Sequence, residues 1–186
     1  MDTHLIRMSK FLSLVLRHKP EEIGLALDEQ GWADVDDLIG RANRHGVALT
    51  RELVERIVAT NEKKRFALSA DGAKIRANQG HSVEVDLGLE ARQPPEVLFH
   101  GTATRFLPGI AEKGLLPGGR QHVHLSPDEP TAVTVGRRHG KPVVLRVRCG
   151  EMHRAGFAFY CAANGVWLTE RVPLAFLDFP PLAERQ

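Results

Sequence analysis

Apolar residues near the start of the chain recur three and four positions apart. Leu5, Met8, Leu12 and Val15 make one stripe, the signature of a helix with one face in a core. Pro20 biases Lys19 away from helical geometry, so this helix is expected to stop near His18. The period then changes. "GLALDEQGWADVDDL" (24–38) opens as a short alternating strand, passes Gly31 and becomes a helix, with Asp34 as N-cap and Asp37 three positions on. Thr50 caps another helix carrying Leu53, Val54, Ile57 and Val58. "RFALSADGAKIRA" (65–77) reads as a hairpin turning at Asp71-Gly72. Helix, short strand, helix, helix, hairpin is an order that resembles a winged-helix domain.

"LEARQPPEV" (89–97) interrupts the pattern. Pro94 and Pro95 neither continue a helix nor donate to a ladder, so they mark a linker. Beyond it, strand-like runs dominate: "EVLFHG", "HVHLS", "PVVLRVRC", "GFAFYCA", "GVWLT" and "LAFLDF", with two short helical stretches between them. The expected class is α+β, with one lobe over residues 1–90 and a mostly antiparallel β lobe over 91–186.

Composition adds limits. Net charge is only +2, so bulk electrostatics does not argue for nucleic acid, and local arginine clusters must carry that case. The two cysteines, Cys149 and Cys161, have no zinc-type spacing and would not make a disulfide scaffold. "MDTHLIRMSK" lacks the apolar core of a signal peptide, and no apolar run approaches the roughly 20 residues of a membrane span. A monomer in the reducing cytoplasm is expected.

Several short stretches concentrate chemistry. In "LRHKP" (16–20), Arg17 and His18 end the first helix. They either neutralise the helix C-terminus or deliver two cationic groups to an anion beyond it. Arg65 follows Lys63 and Lys64; this is either a solvated charge run or, since Arg65 alternates away from Phe66 and Leu68, a group facing a cleft. "IRANQGHS" (75–82) gathers Arg76, Asn78, Gln79, His81 and Ser82 around Gly80, either as a polar loop or as a set of donors for phosphate or sugar. In "LFHGTAT" (98–104), His100 and Thr102 share a strand face, and Gly101 permits close backbone approach to a ligand. "GLLPGGRQHVHLS" (114–126) sets Arg120 after a Gly118-Gly119 turn and places His122, His124 and Ser126 on one face, opposite Val123 and Leu125. No carboxylate or cysteine at suitable spacing completes a metal site, so none is expected. The Gly-rich dinucleotide pattern, the P-loop and the nucleophile elbow are absent. What remains is arginine with histidine, suited to anion recognition and charge stabilisation.

Taken together, "LRHKP", "KRFALS", "IRANQGHS", "LFHGT", "GLLPGGRQHVHLS" and "GVWLTERVP" resemble, in order and spacing, the RNA 2′-phosphotransferase family, also called tRNA 2′-phosphotransferases. The resemblance implies an N-terminal winged-helix lobe that binds the RNA 2′-phosphate and a C-terminal lobe like ADP-ribosyltransferases that binds NAD. It implies removal of an internal RNA 2′-phosphate, left by splicing or ligation of a tRNA-like RNA, with NAD as co-substrate. The implied course has two steps, through 2′-phospho-ADP-ribosylated RNA and then transesterification. Products are 2′-hydroxyl RNA, nicotinamide and ADP-ribose 1″,2″-cyclic phosphate. The implied catalytic set is Arg17, His18, Arg65 and Arg120, with Arg76 joining them around the RNA phosphate. NAD contacts fall on His100, Gly101 and Thr102, with His122, His124 and Ser126 lining the same cleft. Many ADP-ribosyltransferases carry a late-strand glutamate; Val166 stands near that position here, consistent with an acceptor that is already a phosphate anion. The rival expectations are an ADP-ribosyltransferase acting on protein or nucleic-acid ends, and a non-catalytic winged-helix nucleic-acid binder.

Overall fold

A computed structural model describes residues 3–180. Packing divides the chain into two units, one ending at Gly88 and the other beginning at Leu89.

The first unit runs α1 (Thr3–Arg17), a 3-10 turn (Pro20–Ile23), β1 (Ala33–Asp34), α2 (Val35–Arg44), α3 (Arg51–Thr60), β2 (Phe66–Leu68) and β3 (Lys74–Ala77). The α1 stripe goes inside: Met8, Leu12, Val15 and Leu16 are buried with Leu38 and Ala42 of α2 and Val54 and Ile57 of α3. Both caps form. The Asp34 carboxylate accepts from Asp37 N at 2.8 Å and the Thr50 hydroxyl from Leu53 N at 3.2 Å, satisfying amides the helices leave open. The strands make an antiparallel sheet in the order β1-β3-β2, with Phe66 opposite Ala77 and Ala33 opposite Ile75. The β2–β3 hairpin turns through Gly72 at φ 71°. One expectation fails: "GLAL" is not a strand. Ile23 and Leu25 are buried and Gly24 and Ala26 exposed, so the alternation is obeyed, but the segment has no ladder partner and the strand forms later, at Ala33–Asp34. The Asp28 carboxylate, accepting from Gln30 N and Trp32 N, makes the turn that leads into it.

The second unit runs β4 (Leu98–Ala103), α4 (Leu107–Lys113), β5 (Val123–Leu125), α5 (Glu129–Gly136), β6 (Pro142–Val147), α6 (Cys149–Arg154), β7 (Tyr160–Cys161), β8 (Trp167–Thr169) and β9 (Leu177–Asp178). Among the described residues its strands form two antiparallel sheets, β4-β6-β9 and β5-β8-β7. Phe99 and Ser126 stitch the two together by exchanging backbone bonds of 2.9 and 2.7 Å. Leu98, Leu125, Leu145, Val147, Met152 and Phe159 are among the buried residues of the core.

Three differences from expectation appear here. "PVVLRVRC" does not stay extended: the strand ends at Val147 and Cys149 starts α6, because Arg148 turns its N–H to the Phe176 carbonyl and its guanidinium to Asp178. The described residues of this unit therefore hold three α-helices rather than two. The proline-bearing stretch is also no free linker. Ala91 bridges to Tyr160 and Arg92 N donates to Phe159 O at 2.8 Å, tying it to the second unit. The architecture as a whole is α+β. Among the described residues no helix is long and apolar enough to cross a membrane.

Candidate active site

In the first unit, Arg17 is the last residue of α1 and His18 follows it. The segment after β3 runs back over this helix end. Ser82 N and Val83 N donate to the Arg17 carbonyl at 2.9 and 3.3 Å, and the Ser82 hydroxyl adds a 3.4 Å bond. That loop satisfies the exposed carbonyl of the terminus. The Arg17 side chain is directed elsewhere: Nη2 donates to the carbonyl of Arg65 at 3.3 Å, and the guanidinium carbon lies 5.8 Å from the centroid of the buried Phe66 ring. This geometry favours delivery of the group to a shared cluster over simple helix capping.

His18 Nδ1 sits 2.9 Å from the Ser82 hydroxyl. Arg65 is bracketed by Asn78, whose N–H donates to Arg65 O at 2.9 Å and whose side-chain amide donates to Lys64 O at 2.6 Å. Arg17, His18 and Arg65 are thus gathered at one corner of the first unit. Arg76 is engaged beside them: its guanidinium lies 4.6 Å from the Trp32 ring centroid and Nη1 makes a long 3.5 Å bond to Leu87 O.

The "IRANQGHS" stretch is not a solvated loop. Asn78 is 7% exposed and His81 2%. Among the described residues, neither ring nitrogen of His81 has a hydrogen-bond partner. Burial first, then the charges of Arg17, His18 and Arg76, push the His81 pKa down to about 4, so its ring is neutral at pH 7. The same repulsions mark a concentration of positive charge suited to a polyanion.

In the second unit, β4 and β5 carry the remaining candidates. His100 Nδ1 lies 3.0 Å from the carbonyl of His124. A carbonyl only accepts, so the proton is on Nδ1; burial lowers the pKa of this imidazole, with the His124 contact opposing. Nε2 of the neutral ring is then an acceptor. Arg120 Nη1 lies 3.1 Å from His124 Nδ1. A guanidinium only donates, so Nδ1 accepts. Arg120 is exposed by area, yet desolvation, followed by Arg138, pulls its pKa down. His122 turns an edge to Tyr160, ring centroids 5.8 Å apart, and burial lowers its pKa against the opposing charge of Glu170. Val123 and Leu125 face the core, as alternation requires, and Thr102 is buried. Ser126 is held by its backbone exchange with Phe99.

Gly101 has a neighbour that the sequence did not reveal. A Cβ there would lie 1.8 Å from the carbonyl oxygen of Ala132, in α5. The missing side chain therefore lets β4 lie directly against the backbone of α5. Among the described residues no group of three or more His, Cys, Asp or Glu could hold a metal ion.

Comparison with known proteins decides the family. Residues 3–171 match the model described as RNA 2'-phosphotransferase, Tpt1 / KptA family. The chain belongs to the RNA 2′-phosphotransferase family. It is similar to a probable RNA 2'-phosphotransferase of Pectobacterium carotovorum, 57% identical over 178 residues that cover 95% of this chain and 96% of that protein. A probable RNA 2'-phosphotransferase of Agrobacterium fabrum is 60% identical over 169 residues, 91% of each chain. One of Pseudomonas fluorescens is 59% identical over 170 residues, 91% of this chain and 93% of that protein.

Within a member of the RNA 2′-phosphotransferase family, three residues left out of the sequence-derived site stand out. Asn78 and Ser82 make hydrogen bonds at the Arg65 and His18 positions, and His81 is buried within reach of their charges. The signal was the run of donors in "IRANQGHS"; what it concealed was the burial of Asn78 and His81.

Proposed function

We propose that the protein is an NAD-dependent RNA 2′-phosphotransferase that removes an internal RNA 2′-phosphate, in two steps, to leave a 2′-hydroxyl, nicotinamide and ADP-ribose 1″,2″-cyclic phosphate. The observation that carries this reading is the first-unit corner. There Arg17 bonds the Arg65 backbone and His18 is oriented by Ser82, in a chain matched to the family along most of its length. In this reading the first unit, three helices with a sheet ending in a hairpin, is a winged-helix lobe that takes the RNA phosphate. The second unit, two antiparallel sheets with α5 against β4 and β6, is the ADP-ribosyltransferase-like lobe.

The second-unit residues fit NAD. A neutral His100 with Nε2 as acceptor suits a ribose hydroxyl, and Arg120 suits a phosphate. His100, Gly101, Thr102, His122, His124 and Ser126 are the residues that would hold the dinucleotide. NAD supplies an anomeric carbon whose nicotinamide departs as a neutral molecule. Arg17 and Arg65 clamp the RNA phosphate and stabilise phosphoryl oxygens as charge grows. His18 protonates the departing RNA 2′-oxygen. Because its Nδ1 is engaged by Ser82, the proton moves from Nε2. A carboxylate near the nucleophile would repel it, and Val166 in the turn before β8 brings none.

The test is a short RNA with one internal 2′-phosphate, incubated with and without NAD, beside a 5′-phosphorylated RNA and a protein acceptor. NAD-dependent conversion to 2′-hydroxyl RNA with nicotinamide release is expected. Label transfer to the 5′ end or to protein alone, or no nicotinamide release, overturns the reading.

A further inference from the structure

Lys64 adopts φ 41°, and among the described residues it is the one non-glycine with a positive φ. It closes the turn after α3, its N–H bonded to Asn61 O at 2.8 Å, and it immediately precedes Arg65. A lysine gains nothing from this region of backbone space, because its Cβ crowds the following carbonyl there. Something outside the turn must hold it. The Lys64 carbonyl accepts the side-chain amide of Asn78 at 2.6 Å, from a side chain that is 7% exposed. The Asn78 N–H takes the next carbonyl, that of Arg65, at 2.9 Å. The same Arg65 carbonyl receives Arg17 Nη2 at 3.3 Å. On the far side of Arg65, Phe66 is buried and paired with Ala77.

We propose that Asn78 is a positioning residue: it holds Lys64 in the left-handed conformation and so fixes the direction in which Arg65, and the Arg17 bonded to it, present their guanidinium groups. This rests on the role of Arg65 in the proposed reaction. Phe66 fixes one end of the Arg65 residue and Lys64 sets the other. Releasing Lys64 to negative φ turns the peptide plane between them. That turn removes the Arg65 carbonyl from both Asn78 N and Arg17 Nη2 and swings the start of the Arg65 side chain. A buried amide that merely satisfied a carbonyl would have no such link to the torsion at residue 64.

The experiment combines Asn78→Ala with Lys64→Gly and, as a charge control, with Lys64→Ala. Single-turnover rates are measured on the 2′-phosphorylated RNA at saturating NAD, and amide exchange at position 78 is followed by NMR in the same proteins. Asn78→Ala is expected to slow turnover about tenfold or more, since a small displacement of a positioned group has an effect of this order. Glycine at 64 tolerates positive φ without its holder, so Asn78→Ala/Lys64→Gly should run about fivefold or more faster than Asn78→Ala/Lys64→Ala. Protection of amide 78 should be lost in Asn78→Ala and regained with glycine at 64. Full activity of Asn78→Ala, or equal rates for glycine and alanine at 64 in its background, overturns the proposal. Should Asn78→Ala fail to fold, Asn78→Asp, of equal shape without the donor, takes its place in the same series. An inert wild type on 2′-phosphorylated RNA defeats the functional reading instead, and the exchange data still decide the role of Asn78.

Discussion

The Ser82 hydroxyl joins the Arg17 carbonyl, 3.4 Å away, to Nδ1 of His18, 2.9 Å away. In the protonated ring that a general acid requires, Nδ1 carries a hydrogen, so the Ser82 oxygen receives it and the hydroxyl hydrogen is left for the Arg17 carbonyl. One serine thereby orients the ring of the proposed acid and links it to the end of α1. Ser82→Ala should lower kcat roughly two- to tenfold, the span of one ordinary hydrogen bond, with KM for RNA nearly unchanged. Ser82→Thr should restore the rate. Steady-state kinetics of the three proteins checks this, and an unaltered kcat in Ser82→Ala would remove the serine from the mechanism.

His81 ties stability to pH. Its folded pKa of about 4 lies below the ordinary 6.5, so the unfolded chain binds its proton first as the solution is acidified. The stability gained by keeping the ring neutral is whole above pH 6.5, declines as pH falls below it, and is gone near 4. Its full size is roughly 3 kcal/mol. His81→Leu has nothing to titrate there and should show a flatter Tm between pH 6.5 and 4.5. His100 and His122, also shifted down, contribute in both proteins and cancel in the comparison. Parallel melting curves would refute the assignment.

Gly101→Ala should fail through packing. The added methyl would sit on the Ala132 carbonyl, 1.8 Å away, and close to Gly136 N at 3.0 Å. Since α5 must move off β4, the expected loss is about 1–3 kcal/mol or more, read as a lowered Tm with NAD absent. A variant as stable as the wild type would return the residue to a purely ligand-facing role.

Cys149 should be inert in the native protein. It is fully buried, and burial pushes its thiol pKa up to about 12. Titration with an aromatic disulfide at pH 8 should detect at most Cys161 before denaturation and both thiols after it. Rapid native labelling of Cys149 would show that the α6 start opens readily.

Much of this architecture is local and therefore readable from sequence. The end of α1 follows from Pro20, and two helix starts from Asp34 and Thr50, because each acts within three residues of itself. Errors cluster where the deciding partner is remote. Cys149 starts a helix because Arg148 bonds Phe176 and Asp178, far along the chain. "GLAL" alternates correctly but finds no neighbouring strand. The candidate site was legible as residue types, arginine and histidine beside glycine. The torsion at Lys64, the Ser82 partner of His18 and the burial of His81 are properties of three-dimensional neighbours, and no spacing rule reports them.

The pairing of Ala91 with Tyr160, reinforced by Arg92 on Phe159, gives the β5-β8-β7 sheet a selvedge ahead of the proline pair. A half-molecule expressed from Pro94 would lack that border, leave the Phe159 carbonyl bare and offer a raw rim to other chains. One begun at Leu89 keeps it. Light scattering should find the shorter piece clumped and the longer one dispersed, so the useful place to cut this protein lies before the prolines that look like its seam.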